Sequence, residues 1–111
     1  MERNLVRSNI IAGEDLSDGQ FLCVGVDGKK TGATGDAVYG IVRVGAASGQ
    51  PLEVVTGGEY WVKVGEAVTA GDALTGGEDG KAVKATAGSN FPFGVALEAG
   101  AADSVVRVLI R

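Results

Sequence analysis

Histidine is absent from this chain, and cysteine occurs once, at Cys23. The first absence removes the commonest general base, the Ser-His-Asp and Cys-His nucleophile arrangements and the usual zinc sites. The second removes internal disulfides and thiolate metal clusters and fits a reducing, cytosolic origin. Cys23 lies inside the apolar run 21–26, where a buried small hydrophobe is expected rather than a reactive thiol. Positive charge is thin: 10 Lys and Arg, scattered, stand against 14 Asp and Glu for a net charge of -4. A protein that grips phosphate backbones needs a basic patch, so nucleic acid is not an expected partner. No apolar run approaches the roughly 20 residues that span a bilayer, so a membrane is not expected either. The opening Met1-Glu2-Arg3-Asn4-Leu5 lacks the apolar core of a signal peptide.

Glycine, by contrast, is abundant, at 19 of 111 residues, and 45% of the chain is hydrophobic, too much for a disordered segment. The apolar runs are 21–26, 38–44, 52–55, 60–64, 82–86, 93–97 and 105–110, each short, rich in Val or aromatics and flanked by Gly, Asp or Asn. None keeps the 3.6-residue period of a surface helix over 11 or more residues. The pattern predicts an all-β domain of short antiparallel strands joined by tight turns, with a brief extra strand at 69–74. A short helical turn is compatible with 45–48 or 100–103.

Two Asp-Gly-Lys tripeptides, Asp27-Gly28-Lys29 and Asp79-Gly80-Lys81, predict hairpins, because a type I′ turn needs positive φ at both central residues. Other matches recur in the same order: Ala12-Gly13 with Ala70-Gly71, Gly40-Ile41-Val42 with Gly94-Val95-Ala96, Gly45-Ala46-Ala47 with Gly100-Ala101-Ala102, and Leu52-Glu53-Val54-Val55 with Val106-Arg107-Val108-Leu109. These predict two related halves, about 12–57 and 58–111, sharing one core in a small barrel or sandwich. Residues 1–11 are either an extended N-terminal arm, adding a strand to a partner's sheet, or the first strand of the domain itself. Alternation puts Val106, Val108 and Ile110 on one face, with Val105, Arg107 and Leu109 on the other. It also sets Tyr60, Val62 and Val64 against Glu59, Trp61 and Lys63. The single tryptophan, Trp61, is therefore either a lid over a barrel rim or an interface anchor.

Catalytic chemistry has little to stand on. The acidic pairs Glu14-Asp15 and Glu78-Asp79 sit beside glycines, as solvated turn carboxylates do. The glycine-rich stretch 75–81 lacks the Gly-Lys-Ser/Thr ending of a phosphate loop, and its acids would repel phosphate. No catalytic residue, metal ligand or cofactor site is expected. The segment 62–74 resembles the "V-x-x-G-D-x-V-x-x-G-D-x-L" pattern of biotinyl and lipoyl carrier domains. Such domains display a lysine after Met or Asp, whereas Lys81 follows Asp79-Gly80.

A closer likeness runs from about residue 10 to 111. Ala70-Gly71-Asp72-Ala73-Leu74-Thr75, Asp79-Gly80-Lys81-Ala82-Val83-Lys84-Ala85, Phe93-Gly94-Val95-Ala96-Leu97-Glu98-Ala99-Gly100-Ala101 and Val106-Arg107-Val108-Leu109 resemble the small capsid decoration (head cement) proteins of tailed bacteriophages. The resemblance implies a β-tulip-like barrel with neither active site nor cofactor. It implies a homotrimer on the outside of the virion head, made in the host cytoplasm, that bridges neighbouring major capsid protein subunits and stabilises the expanded shell. The candidate interface residues are Arg3, Leu5, Val6 and Arg7 in the N-terminal segment, Trp61, and Phe91 and Phe93 around the Asn90-Phe91-Pro92 turn. A carrier domain and a structural β-domain of the phage tail are the alternatives.

Overall fold

Short runs that alternate apolar and polar residues bury one face only by pairing side by side. Here they do so in one antiparallel sheet. The computed structural model describes residues 3–86 and 92–110. Its strands are β1 (Arg3–Ile11), β2 (Cys23–Val24), β3 (Gly40–Val44), β4 (Pro51–Lys63), β5 (Ala73–Gly76), β6 (Ala82–Lys84), β7 (Gly94–Ala96) and β8 (Val105–Ile110). Among the described residues the only helical element is a 3-10 turn, Glu78–Gly80. The strand order is β2-β3-β4-β8-β7-β5-β6, and β1 lies on β4. A parallel bridge from Val64 to Ala82 brings β6 back to the end of β4, so the sheet is barrel-like and nearly closed. The protein is all-β.

One strand differs from expectation. The runs 52–55 and 60–64 are not two strands but one, β4, because Gly57-Gly58 bends the chain instead of reversing it. Gly58 takes φ +96, and the register of β1 slips around Val6, opposite Gly57. A bulge at glycine kinks a strand and lets it continue. Before the bend β4 is flanked by β1 and β3; after it, β8 takes the place of β3. β4 therefore crosses the 57/58 boundary and stitches the two stretches of sheet together.

Those stretches lay down the same ladder. In the first, Val24 pairs Gly40, Ile41 pairs Val55 and Val42 pairs Val54. In the second, Leu74 pairs Gly94, Val95 pairs Leu109 and Ala96 pairs Val108. The loops match as well: the Tyr39 N–H donates to Val24 O and the Phe93 N–H to Leu74 O, both at 2.8 Å. The two Asp-Gly turns do not match. Asp79 and Gly80 both have positive φ, as a type I′ turn requires, whereas in the first turn only Gly28 does. The Gly28 N–H instead donates to Gly25 O at 3.1 Å, closing the turn one residue earlier.

The main core fills the barrel with Tyr60, Val62, Val64, Leu74, Ala96, Val106, Val108 and Ile110, joined by Cys23, Ile41 and Val55. A second cluster lies on the other face of β2, β3 and β4, where Val24, Val42, Leu52 and Val54 pack under Ala12 and Leu16 of the loop after β1. Burying each such aliphatic side chain is worth about 1.5–3 kcal/mol.

Candidate interaction surface

The N-terminal residues form the protein's own first strand. Arg3 is described through its backbone, which pairs with Glu59. Leu5 is half-buried against the main core, while Val6 is 58% exposed. Arg7 lies 3.7 Å from Glu53, whose other carboxylate oxygen is 2.9 Å from Arg43. Ser8 Oγ accepts the Tyr39 hydroxyl at 3.0 Å and Ile10 packs on the second cluster, so β1 is anchored along its inward face. Among the described residues its outer edge has no strand partner. Val6 and Ile11, both strongly exposed, stand along a strand that carries two arginines and no acid.

Trp61 projects outward from β4, half-buried, with its ring edge-on to Tyr60 at 5.7 Å. Directly across from it on β8 is Arg107. The next row along the same face runs Glu59, Leu109, Val95 and Ala73 across four strands, all half-exposed. In sequence Arg107 and Leu109 belong visibly to the outer face of β8. Their position beside Trp61 depends on a cross-strand register that no local pattern encodes.

Phe93 is a correction. It is 7% exposed and belongs to the main core, because its N–H bonds Leu74 O and holds it at the root of β7 facing inward. It therefore leaves the candidate interface. Phe91 lies outside the described residues.

The polar groups are mostly spent on the protein's own loops. An open hollow of about 480 Å³ between residues 25–31 and 36–39 contains Asp27 and Asp36. Asp27 accepts the Lys29 N–H at 3.1 Å, and Asp36 accepts those of Gly32 and Ala33 at 2.8 and 3.0 Å. Asp15, bonded by the hydroxyl and N–H of Ser17, is held below the usual carboxylate range. Lys81 donates to Asp103 at 2.6 Å, which raises the lysine and lowers the carboxyl. A lysine tied down in this way is not displayed as a carrier lysine is. Burial pushes the Cys23 thiol well above its ordinary value, which keeps it protonated and inert. The described residues contain no cluster of metal-ligating side chains.

What this chain presents is therefore a nearly closed barrel with a strand edge and a half-exposed sheet face. The family model described as "Phage cement protein" matches residues 3–111. The chain belongs to the phage cement protein family. No curated protein sequence matches it. Among solved structures, this cement-family protein resembles the head fiber gp8.5 N base of bacteriophage phi29. The TM-score is 0.68 at 20% identity, covering 96% of this chain and 94% of that one. At that identity the likeness establishes the fold. The family match makes the protein a structural component of a phage capsid, and nothing in the fold or the family favours the carrier reading.

Proposed function

We propose that this cement-family protein binds the outer surface of the expanded phage head, as a homotrimer, and cross-bridges neighbouring major capsid protein subunits. The observation that carries the reading is the family match over the whole described fold, from β1 to β8. The physics fits it. DNA packed in a head strains the contacts between subunits, and a clamp that binds only the assembled, expanded shell stabilises that shell by mass action. The anchored β1 supports a contact by strand addition, since its outer edge has no strand partner among the described residues and carries exposed Val6 and Ile11. An unprotected edge of this length on a Val-rich barrel is an aggregation liability unless something covers it.

The test is co-sedimentation of the purified protein with expanded heads of its own phage, with heads of the unexpanded form beside them, and a thermal disruption assay. Saturable binding to expanded heads alone, with a raised disruption temperature, is expected, and native mass in solution and on the shell reports the trimer. A folded protein that binds tails and leaves heads untouched overturns the reading in favour of the tail alternative.

A further inference from the structure

The ladder repeats, but one pair of half-exposed side chains does not. In the first stretch, Arg43 follows Val42 on β3 and Glu53 precedes Val54 on β4, and the two meet at 2.9 Å. In the second, the same places beside the Ala96–Val108 pair are taken by Leu97 and Arg107. The cation has become an aliphatic and the acid has become a cation. Among the described residues, Arg107 is left without an ion pair, and its Nε is buried without a hydrogen-bond partner. Glu98 is near, its Oε2 accepting the Arg107 backbone N–H at 3.0 Å, but it makes no ion pair with the guanidinium. Glu59 and Lys63 share the outer face but pair with Leu109 and Val105, so the residue directly across from Arg107 is Trp61.

We propose that the Trp61–Arg107 patch is a socket for an acidic side chain of the capsid. The Arg107 guanidinium pairs with a carboxylate there, while an apolar neighbour of that carboxylate packs on Trp61 and Leu109. This rests on the head-binding reading above and adds to it the chemistry of the contact. A guanidinium is a rigid fork of donors matched to a carboxylate, and half-burial beside an indole strengthens the pair once water is excluded. Trp and Arg are the residue types that dominate binding energy at protein interfaces. A second copy of this chain is a poor source of the acid, although the chain is acidic overall. Asp15, Asp27, Asp36, Asp72, Glu14 and Glu66 already accept backbone N–H groups of their own loops or of neighbouring ones, and Glu53 and Asp103 sit in ion pairs. This leaves Asp18, Glu78 and Asp79 as exposed acids that a second copy could offer, an occupant that native mass tests.

The test compares the unaltered protein with Arg107→Gln and Arg107→Lys for affinity to expanded heads at low and high salt. Melting temperature and native mass are read alongside. Arg107→Gln is expected to weaken head binding by at least about tenfold and to flatten its salt dependence, with unchanged mass. Arg107→Lys keeps the charge but loses the fork and is expected to fall between the two. If both variants bind heads as tightly as the unaltered protein, the socket is overturned while head binding stands. If the unaltered protein does not bind heads, the head-binding reading fails and the socket with it. A loss of native mass in Arg107→Gln would overturn the proposal by making the occupant a second copy. Should Arg107→Gln not fold, Arg107→Lys decides alone, since equal affinity would sink the socket.

Discussion

Cys23, Ile41 and Val55 stand in the first stretch of sheet where Ala73, Val95 and Leu109 stand in the second, bonded in the same register. The first three are fully buried, and the last three are half-exposed. The reason is which way each stretch faces. Cys23, Ile41 and Val55 point into the main core, whereas in the second stretch the alternate residues, Leu74, Ala96 and Val108, do so. The residues alternating with Cys23, Ile41 and Val55 in the first stretch are covered by a loop. The first stretch is packed on both faces, by the barrel interior on one side and by the loop bearing Ala12 and Leu16 on the other. The second has only the barrel interior. A hydrogen-bond ladder fixes where side chains stand, and it leaves open whether they meet protein or water. Two stretches of one ladder therefore end differently: the first is a double-sided layer, and the second leaves its outer face half-exposed.

The largest effects are expected where the copies are equivalent and both tight. Gly40 and Gly94 lie at the same ladder position, and a Cβ there would come 2.9 Å from Val55 O and 2.4 Å from Leu109 O respectively. Both obstacles are backbone, so neither moves cheaply. Gly94→Ala should cost about 3 kcal/mol and Gly40→Ala somewhat less, read by urea unfolding. A Gly94→Ala protein as stable as the parent would show that the second ladder has slack, and the equivalence would break. The next pair tests the coverage difference itself. Ile41→Ala removes a fully buried side chain and should cost about 3 kcal/mol. Its half-exposed counterpart, Val95→Ala, should cost less than about 1 kcal/mol. Equal costs would mean that the outer face of the second stretch is already covered.

How much of this was legible in the sequence follows the same division. Alternation at 59–64 and 105–110 separated buried from outward residues correctly, because period two is a local property of an extended chain. The all-β class was legible for the same reason. The single strand through Gly57-Gly58 was not, since a glycine pair serves a bulge as readily as a turn, and partners on β1, β3 and β8 decide which. Nor was the place of Phe93, whose inward direction is set by its bond to Leu74 rather than by its neighbours in sequence. Trp61 was singled out, but Arg107 acquires meaning only once β4 and β8 are paired and Arg43–Glu53 supplies the contrast.

That contrast predicts smaller, unequal effects on stability. Glu53→Gln breaks the half-buried ion pair with Arg43 and should cost about 1 kcal/mol, less at high salt. Arg107→Gln removes a guanidinium with a buried, unpartnered Nε and should leave thermal stability within about 0.5 kcal/mol of the parent. Melting curves at two salt concentrations check both. A large loss in Arg107→Gln would show that the arginine serves the fold and is not held ready for a partner.

The smallest expected effect concerns a position where the two copies share a backbone and differ in side chain. Gly49 and Asp103 each precede the start of a strand by two residues, and both take positive φ, at +85 and +66. Glycine adopts this conformation freely, and an aspartate tolerates it better than most residues. In the second copy the aspartate is used: Asp103 bonds Lys81 of the Asp79-Gly80-Lys81 turn. The pair is exposed at the carboxyl and should matter little near neutrality, but its pH signature is specific. The hydrogen bond from Lys81 lowers the Asp103 carboxyl, so its contribution is present above the ordinary carboxylate value, about 4, and is lost as pH falls through the lower folded value. The same bond raises Lys81, so that contribution is present below the ordinary lysine value, about 10, and is lost as pH rises through the higher folded one. Asp103→Asn keeps the size and the left-handed tolerance and removes the charge. The difference in melting temperature between the parent and Asp103→Asn should form a low plateau between those limits and vanish beyond both. Asp103→Gly converts the second copy's backbone to the first copy's and also relieves the positive-φ cost, so it should melt at or above Asp103→Asn across the plateau. If Asp103→Gly melts well below Asp103→Asn, the two positions are not equivalent in conformation, and the correspondence of the copies ends at the strands.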